Sequence, residues 1–242
     1  MKRIFLIIAL IFSVMALSVV SCKKDDPKPE PTPAPIWYSP EPTVDGCLPT
    51  SVLPNELSDS VRAYFNVYEG NNPNIIEDGQ FVSSPHVIIH TIVPNDTVPV
   101  YNDRYVAFFK NGDFIDFYGK QWDDEAEDYY EEAYRRLYVI GEGENFTCYY
   151  LTEGYPDGMY AKYSTVFSGK WNESYGGLKD FQVAVIMLET SGNPHLAPVG
   201  SFRVLGDGDG LAENDNWMDG KRTVSEDKAL STEDAFRMFR IK

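Results

Sequence analysis

Between residues 80 and 205, short runs of Val, Ile, Tyr, Phe and Thr alternate with turn-forming residues, and this rhythm predicts strands. The runs fall at 80–83, 86–93, 105–110, 113–118, 146–152, 159–167, 181–189 and 201–205. Asn111 followed by Gly112 lies between two of them and is the strongest hairpin signal in the chain. In 181–188 apolar residues occupy both alternating faces, which predicts a strand buried on both sides, under a helix. Helical spacing occurs in two places. Over 54–68, Leu57, Val61, Tyr64, Phe65 and Tyr68 share one helix face, with Pro54 suited to the first turn and Gly70 to the stop. Over 122–137, Trp122, Ala126, Tyr129, Tyr130, Ala133 and Leu137 share another, with Glu131 spaced to pair with Arg135 and Glu132 with Arg136. That stretch predicts a surface helix or a long hairpin excursion. At the C-terminal end, Ser231 with Asp234 resembles a capping box, but the run 236–241 reads as a closing strand, which is the expectation adopted. The fold class that follows is all-β with one or two short helices: a lipocalin-like antiparallel barrel, with a β-sandwich as the alternative.

Residues before 44 follow a different pattern. Lys2 and Arg3 precede an uncharged, largely apolar run over 4–20 that ends at Ser21 and Cys22. This resembles the lipobox of bacterial lipoproteins, which implies removal of residues 1–21 and lipid attachment at Cys22. Each buried CH₂ contributes about 0.8 kcal/mol, so a multiply acylated cysteine anchors the chain to a bilayer without a membrane-spanning helix. Lys23, Lys24, Asp25 and Asp26 come next and resemble the short acidic tract by which Bacteroidota lipoproteins are exported to the cell surface. From 27 to 42, Pro alternates with Lys, Glu, Thr and Ala, a composition that favours extended polyproline II and builds no core. The expected organisation is a leader over 1–21, a lipidated cysteine and linker over 22–43, and one β-rich domain over 44–242.

Charge narrows the partners. The formal net charge is −16, and losing Lys2 and Arg3 with the leader takes it to −18. Nucleic acid is excluded as a partner, because its phosphates would be repelled and no basic stripe offsets that. Contact with an anionic membrane is expected through the lipid on Cys22 alone. Apart from Cys22, the cysteines are Cys47 and Cys148, an even pair in a disulfide-permissive compartment and so a candidate disulfide. A buried free thiol in the strand-like run around Cys148 is the competing reading.

Two stretches carry a further resemblance. Tyr68-Glu69-Gly70-Asn71-Asn72-Pro73-Asn74-Ile75, running into Gly79-Gln80-Phe81-Val82-Ser83-Ser84-Pro85, resembles a segment of uncharacterised Bacteroidota surface lipoproteins. Val199-Gly200-Ser201-Phe202-Arg203-Val204-Leu205-Gly206-Asp207-Gly208-Asp209-Gly210-Leu211-Ala212, followed by Trp217, resembles the closing segment of the same family. The resemblance implies an outer-membrane, surface-exposed location and an all-β domain, and it carries no functional residues. Ser60 after Asp59 and Thr97 after Asp96 resemble the O-glycosylation acceptors of that group. Asn95, Asn145 and Asn172 head N-glycosylation patterns, which a bacterial lipoprotein does not use.

Candidate chemistry is sparse. Asp207, Asp209, Glu213 and Asp215, on a glycine-rich backbone, offer the hard oxygen donors that calcium requires. Leu211 stands where an EF-hand loop needs a third oxygen, so a tight turn with solvated carboxylates is the alternative. His86 and His90 would share a strand face about 13 Å apart, too far to ligate one metal, and His195 lies in a loop. No catalytic motif is present, and the acidic loops single out no pair of carboxylates for glycoside hydrolysis. Trp122, Trp171 and Trp217, with neighbouring tyrosines, are candidate flat platforms for sugar rings. The sequence therefore points to a non-catalytic, surface-anchored binding module for a glycan, a small ligand or an envelope partner. A glycan-active hydrolase and a structural subunit of an envelope complex are the other readings. No cofactor is expected apart from the candidate calcium.

Overall fold

The computed structural model describes residues 33–74, 76, 78–96, 100–124, 127–218 and 231–241. Thr32–Lys242 form one compact unit, and residues 1–31, Cys22 among them, lie outside the described residues. The strands are β1 (Ile36–Tyr38), β2 (Asn71–Pro73), β3 (Asp78–Ser83), β4 (His86–Thr91), β5 (Val100–Tyr101), β6 (Arg104–Asn111) and β7 (Phe114–Asp123). They continue as β8 (Asp128–Leu137), β9 (Val139–Gly143), β10 (Asn145–Gly154), β11 (Ala161–Trp171), β12 (Gly177–Glu189), β13 (Phe202–Asp207) and β14 (Leu211–Asn214). Among the described residues two short α-helices accompany them, α1 (Asn55–Arg62) and α2 (Thr232–Phe236). Among the described residues no helix is long and apolar enough to cross a membrane.

All the strands belong to one sheet, whose main path runs β2-β9-β10-β11-β12-β14-β3-β6-β7-β8 and curls strongly into a half-barrel. The all-β expectation holds. The two sides of the gap meet through side chains: Tyr134 of β8 stacks on Tyr150 of β10 at 3.8 Å and meets Trp37 of β1 edge-on at 5.2 Å. Strand β1 pairs with β10, so the chain from residue 36 belongs to the sheet and the free linker ends earlier than the Pro-rich composition implies.

Strand alternation sorts the core. Phe146, Cys148 and Tyr150 on β10, Phe167 on β11 and Phe181 and Val183 on β12 face the curled interior. There they meet Phe81, Val106, Phe108, Phe117 and Tyr134 from the other wall. The alternate residues Tyr149, Leu151, Val166, Ala184 and Ile186 face outward and are covered by Val52, Val61 and Phe65 from α1 and its flanks. The doubly buried strand under a helix is thus found as expected. Further along the inner face, Tyr163, Val185 and Met187 pack against Phe236 and Phe239 of the C-terminal segment.

Several local expectations are corrected. α1 ends at Arg62 and the chain turns at Ala63 to Phe65; Gly70, at φ +133, instead runs close to Gly141. A Cβ on Gly70 would lie 2.6 Å from the Gly141 carbonyl oxygen, so glycine is required there by close approach. Over 122–137 the chain forms the hairpin excursion, because β8 pairs antiparallel with β7. The closing segment is helical: the Ser231 side chain accepts from Asp234 N, and α2 continues into a 3₁₀ turn at Arg237–Phe239.

Candidate aromatic face on β6, β7 and β8

The hairpin turn at Gly112 (φ +66) sets Asn111 opposite Phe114, and counting outward sets Tyr105 opposite Lys120. Lys120 lies opposite Glu131, and Trp122 opposite Tyr129, on β8. Because neighbours two apart share a strand face, Tyr105, Lys120, Trp122 and Tyr129 gather on the outer side of the half-barrel. The segment after β14 adds Trp217, whose Nε1–H donates to Val106 O at 3.3 Å; Gln80 Oε1 accepts from Met218 N at 2.9 Å and holds that segment down. Lys120 Nζ lies 4.8 Å from the ring centroids of Tyr105 and Trp217 and 4.9 Å from that of Tyr129. Trp122 and Tyr129 stand edge to face at 5.3 Å and remain 38% and 40% exposed. Beside them Asn102 Nδ2 donates to Trp122 O and to Asp124 Oδ2, each at 3.1 Å. The Tyr105 phenol is pushed up by burial first, then by Tyr129, Asp103 and Asp215. The result is a cluster of aromatic rings steeply inclined to one another around the Lys120 ammonium, with a polar, acidic rim.

Of the tryptophans singled out in the sequence, Trp122 and Trp217 meet on this face. Trp171 does not: it packs edge-on against Phe81 at 5.5 Å, beside the interior core. Tyr105, Lys120 and Tyr129 were not read as site residues. Their signal lay in the hairpin register, which pairs Tyr105 with Lys120 once the turn is placed at Gly112.

A second polar group is enclosed in the half-barrel. Arg104 and Glu132 form an ion pair with side chains 9% and 2% exposed, and Tyr150 donates to Glu132 Oε2 at 3.2 Å. Gly119 lies between them, and a Cβ there would stand 3.0 Å from Glu132 Oε1 and 3.2 Å from Arg104 Nη2. Ser83 Oγ and His86 Nδ1 lie 3.0 Å apart, both residues fully buried. Burial, and then the charge of Arg104, lowers His86 to about 3, so it is neutral near pH 7. Enclosed in this way, the Ser83–His86 pair offers a substrate no path to the hydroxyl, and it serves to hold the turn between β3 and β4.

The other candidates are placed as follows. Asp207 Oδ1 accepts from the backbone N–H groups of Asp209, Gly210 and Leu211, and its Oδ2 accepts from Ser84 N at 3.0 Å. Its oxygens therefore clamp the 208–210 turn to the start of β4. Burial and a hydrogen bond shared with Asp209 push its carboxyl up. Asp207 and Asp209 lie together, but among the described residues no group of three or more His, Cys, Asp or Glu side chains is placed to hold a metal ion. The backbone N–H groups that Asp207 accepts are those of a tight turn.

Cys47 and Cys148 are free thiols rather than a disulfide. Cys148 points into the interior core, where burial pushes its thiol up, while Cys47 lies in the turn whose backbone bonds to Thr43. A bulge between Ile88 and His90 puts the two histidines of β4 on opposite faces, with His90 stacked on Tyr64 at 3.6 Å. Ser60 is exposed on α1, and Thr97 lies outside the described residues. A cavity of about 360 Å³ opens beside α1, lined by Pro54, Leu57, Lys162, Met187, Leu188 and Val199 among others. Its ammonium is already engaged, since Lys162 Nζ is 2.9 Å from Glu153 and 3.0 Å from the Tyr38 hydroxyl.

Comparison with protein-family models, curated proteins and solved structures found no match to this chain.

Proposed function

We propose that this chain is a lipid-anchored lipoprotein of the bacterial cell surface, of the Bacteroidota type, and that its β domain is a non-catalytic binding module for a glycan. The observation that carries the binding role is the exposed pair Trp122 and Tyr129 beside Lys120, Tyr105 and Trp217. Clustered exposed rings with a polar rim are what a sugar chain needs: an exposed ring face for its C–H groups and hydrogen-bonding groups around it for its hydroxyls. The interior supports the same reading, because Phe108, Phe117, Phe146 and Phe167 fill the lower half-barrel where an enclosed ligand would sit. The leader-like N-terminus, Cys22 and the Pro-rich linker support display of this face away from an outer membrane.

The test is retention of the full chain, in detergent micelles, on a panel of immobilised polysaccharides. Wild type is expected to be retained by at least one, and Trp122→Ala to lose about tenfold or more in affinity, since aromatic stacking contributes ~1–3 kcal/mol. Equal retention of wild type and Trp122→Ala would overturn the assignment of the face.

A further inference from the structure

We infer that the ligand of this face is a cationic glycan, a chain of amino sugars bearing free ammonium groups. This rests on the glycan reading above and names its charge class. The first argument is geometric. Tyr105, Tyr129 and Trp217 already hold one ammonium, that of Lys120, at 4.8–4.9 Å from each ring centroid, inside the range of about 6 Å over which a ring face attracts a cation. The protein has thus built an ammonium seat at its surface and placed an exposed stacking pair, Trp122 and Tyr129, beside it.

The second argument is charge. Asp103 and Asp215 lie near enough to act on the Tyr105 phenol, Asp124 is bound to Asn102 beside Trp122, Asp128 caps the start of β8, and Glu131 stands opposite Lys120. Lys120 is turned onto the rings. An acidic polysaccharide meets this rim, and a chain of net charge −16, with repulsion; a neutral one gains only stacking. An amino sugar gains stacking on Trp122, attraction to the carboxylates and access to the ring faces. Lys120 then acts as the resident competitor of the ligand, so its removal strengthens binding.

The experiment is calorimetric titration of the full chain in micelles with glucosamine hexamer, N-acetylglucosamine hexamer and galacturonate hexamer, at low and high salt. The glucosamine hexamer is expected to bind at least about tenfold tighter than the N-acetyl form, and to weaken about tenfold as salt shortens the screening length from ~30 Å to a few Å. Lys120→Met is expected to tighten the glucosamine hexamer about threefold and to widen its margin over the N-acetyl hexamer. Equal, salt-insensitive binding of both hexamers, or preference for galacturonate, would overturn the amino-sugar assignment while leaving the glycan face standing. Unchanged or weaker glucosamine binding by Lys120→Met would overturn the ammonium seat. Glucosamine binding that survives in Trp122→Ala would reduce the effect to bulk charge and overturn the inference. Failure of all three hexamers, and of the polysaccharide panel, with a folded chain would remove both the inference and the reading beneath it.

Discussion

The wall formed by β10, β11 and β12 buries both of its faces, whereas the wall formed by β6, β7 and β8 buries its inner face and, on its outer face, covers Ala107, Phe109 and Tyr118 with Met218 but leaves the end at Trp122 and Tyr129 exposed. Both are rich in aromatic and β-branched residues. On the first wall, Tyr149, Val166 and Ile186 are covered from outside by Val61 and Phe65, while Tyr150, Phe167 and Phe181 fill the interior. On the second, Phe108, Phe117 and Tyr134 fill the same interior, but Trp122 and Tyr129 on the outer side are capped by no helix among the described residues. Hydrophobic content alone therefore does not separate scaffold from site. What separates them is how the outer face is covered: on the β6–β8 wall a lysine stands among the rings, where the other wall meets Val52, Val61 and Phe65 and hydrogen-bonds its cover through Ser164 and Thr147.

That contrast can be broken or sharpened by substitution. The largest effect is expected at Phe167, which meets Phe108, Phe117, Tyr150 and Phe181 across the interior. Phe167→Ala should remove about 3–5 kcal/mol of stability in chemical denaturation; a loss below about 1 kcal/mol would mean that the two walls do not share one core.

The next effect is pH-dependent and belongs to the enclosed side of the β6–β8 wall. His86 is held down to about 3 by burial first and by Arg104 second, against 6.5 for an ordinary histidine. Between these values the unfolded chain binds a proton that the native chain does not, so stability must fall as pH drops through that window. At about 1.4 kcal/mol per pH unit, lowering pH from about 6.5 to 4.5 should remove up to about 2.5 kcal/mol. His86→Gln should flatten the slope of the unfolding free energy over that range; an unchanged slope would assign the acid sensitivity elsewhere.

Smaller still is the cap of α2, where the Ser231 hydroxyl accepts from Asp234 N at 3.1 Å. Ser231→Ala should lower stability by about 1 kcal/mol, measured by thermal melting. The smallest stability effect is expected on the exposed face. Trp122→Ala should change stability by no more than about 0.5 kcal/mol while abolishing retention on a bound polysaccharide. A large loss of stability there would make Trp122 part of the scaffold.

Much of this architecture was legible because strand alternation is a strong signal where both faces are buried. The run at 181–188 reads as doubly covered, and it is. The 122–137 stretch left a helix and a hairpin open, and the hairpin forms, for a physical reason. Strand β8 carries a bulge with Arg136 at φ +64, so Tyr134 and Leu137, three apart, both turn inward against Phe117 and Ile115, two apart. One extra residue in a strand imitates helical spacing. Gly119 was the overlooked clue, since a glycine inside a strand marks a close approach, here by Arg104 and Glu132. The same holds for β4, where the bulge at Ile89 separates His86 from His90. Of the candidate site, the sequence exposes Trp122 and Trp217 but not their assembly, because Trp217 reaches the face only through the return of the chain across β3 and β6. At 208–210 the sequence shows the carboxylates but not the backbone N–H groups of Asp209, Gly210 and Leu211 that Asp207 accepts.

Hydroxyl-radical footprinting of the full chain, with and without the polysaccharide that retains it, tests the central claim most directly. If the β6–β8 outer face is the binding surface, protection will concentrate on Trp122, Tyr129 and Trp217, with Tyr64 and Tyr155 labelled as in the free chain. Protection centred on the α1 cavity at Leu57, Met187 and Val199, with Trp122 and Tyr129 labelled at their free rates, would contradict it.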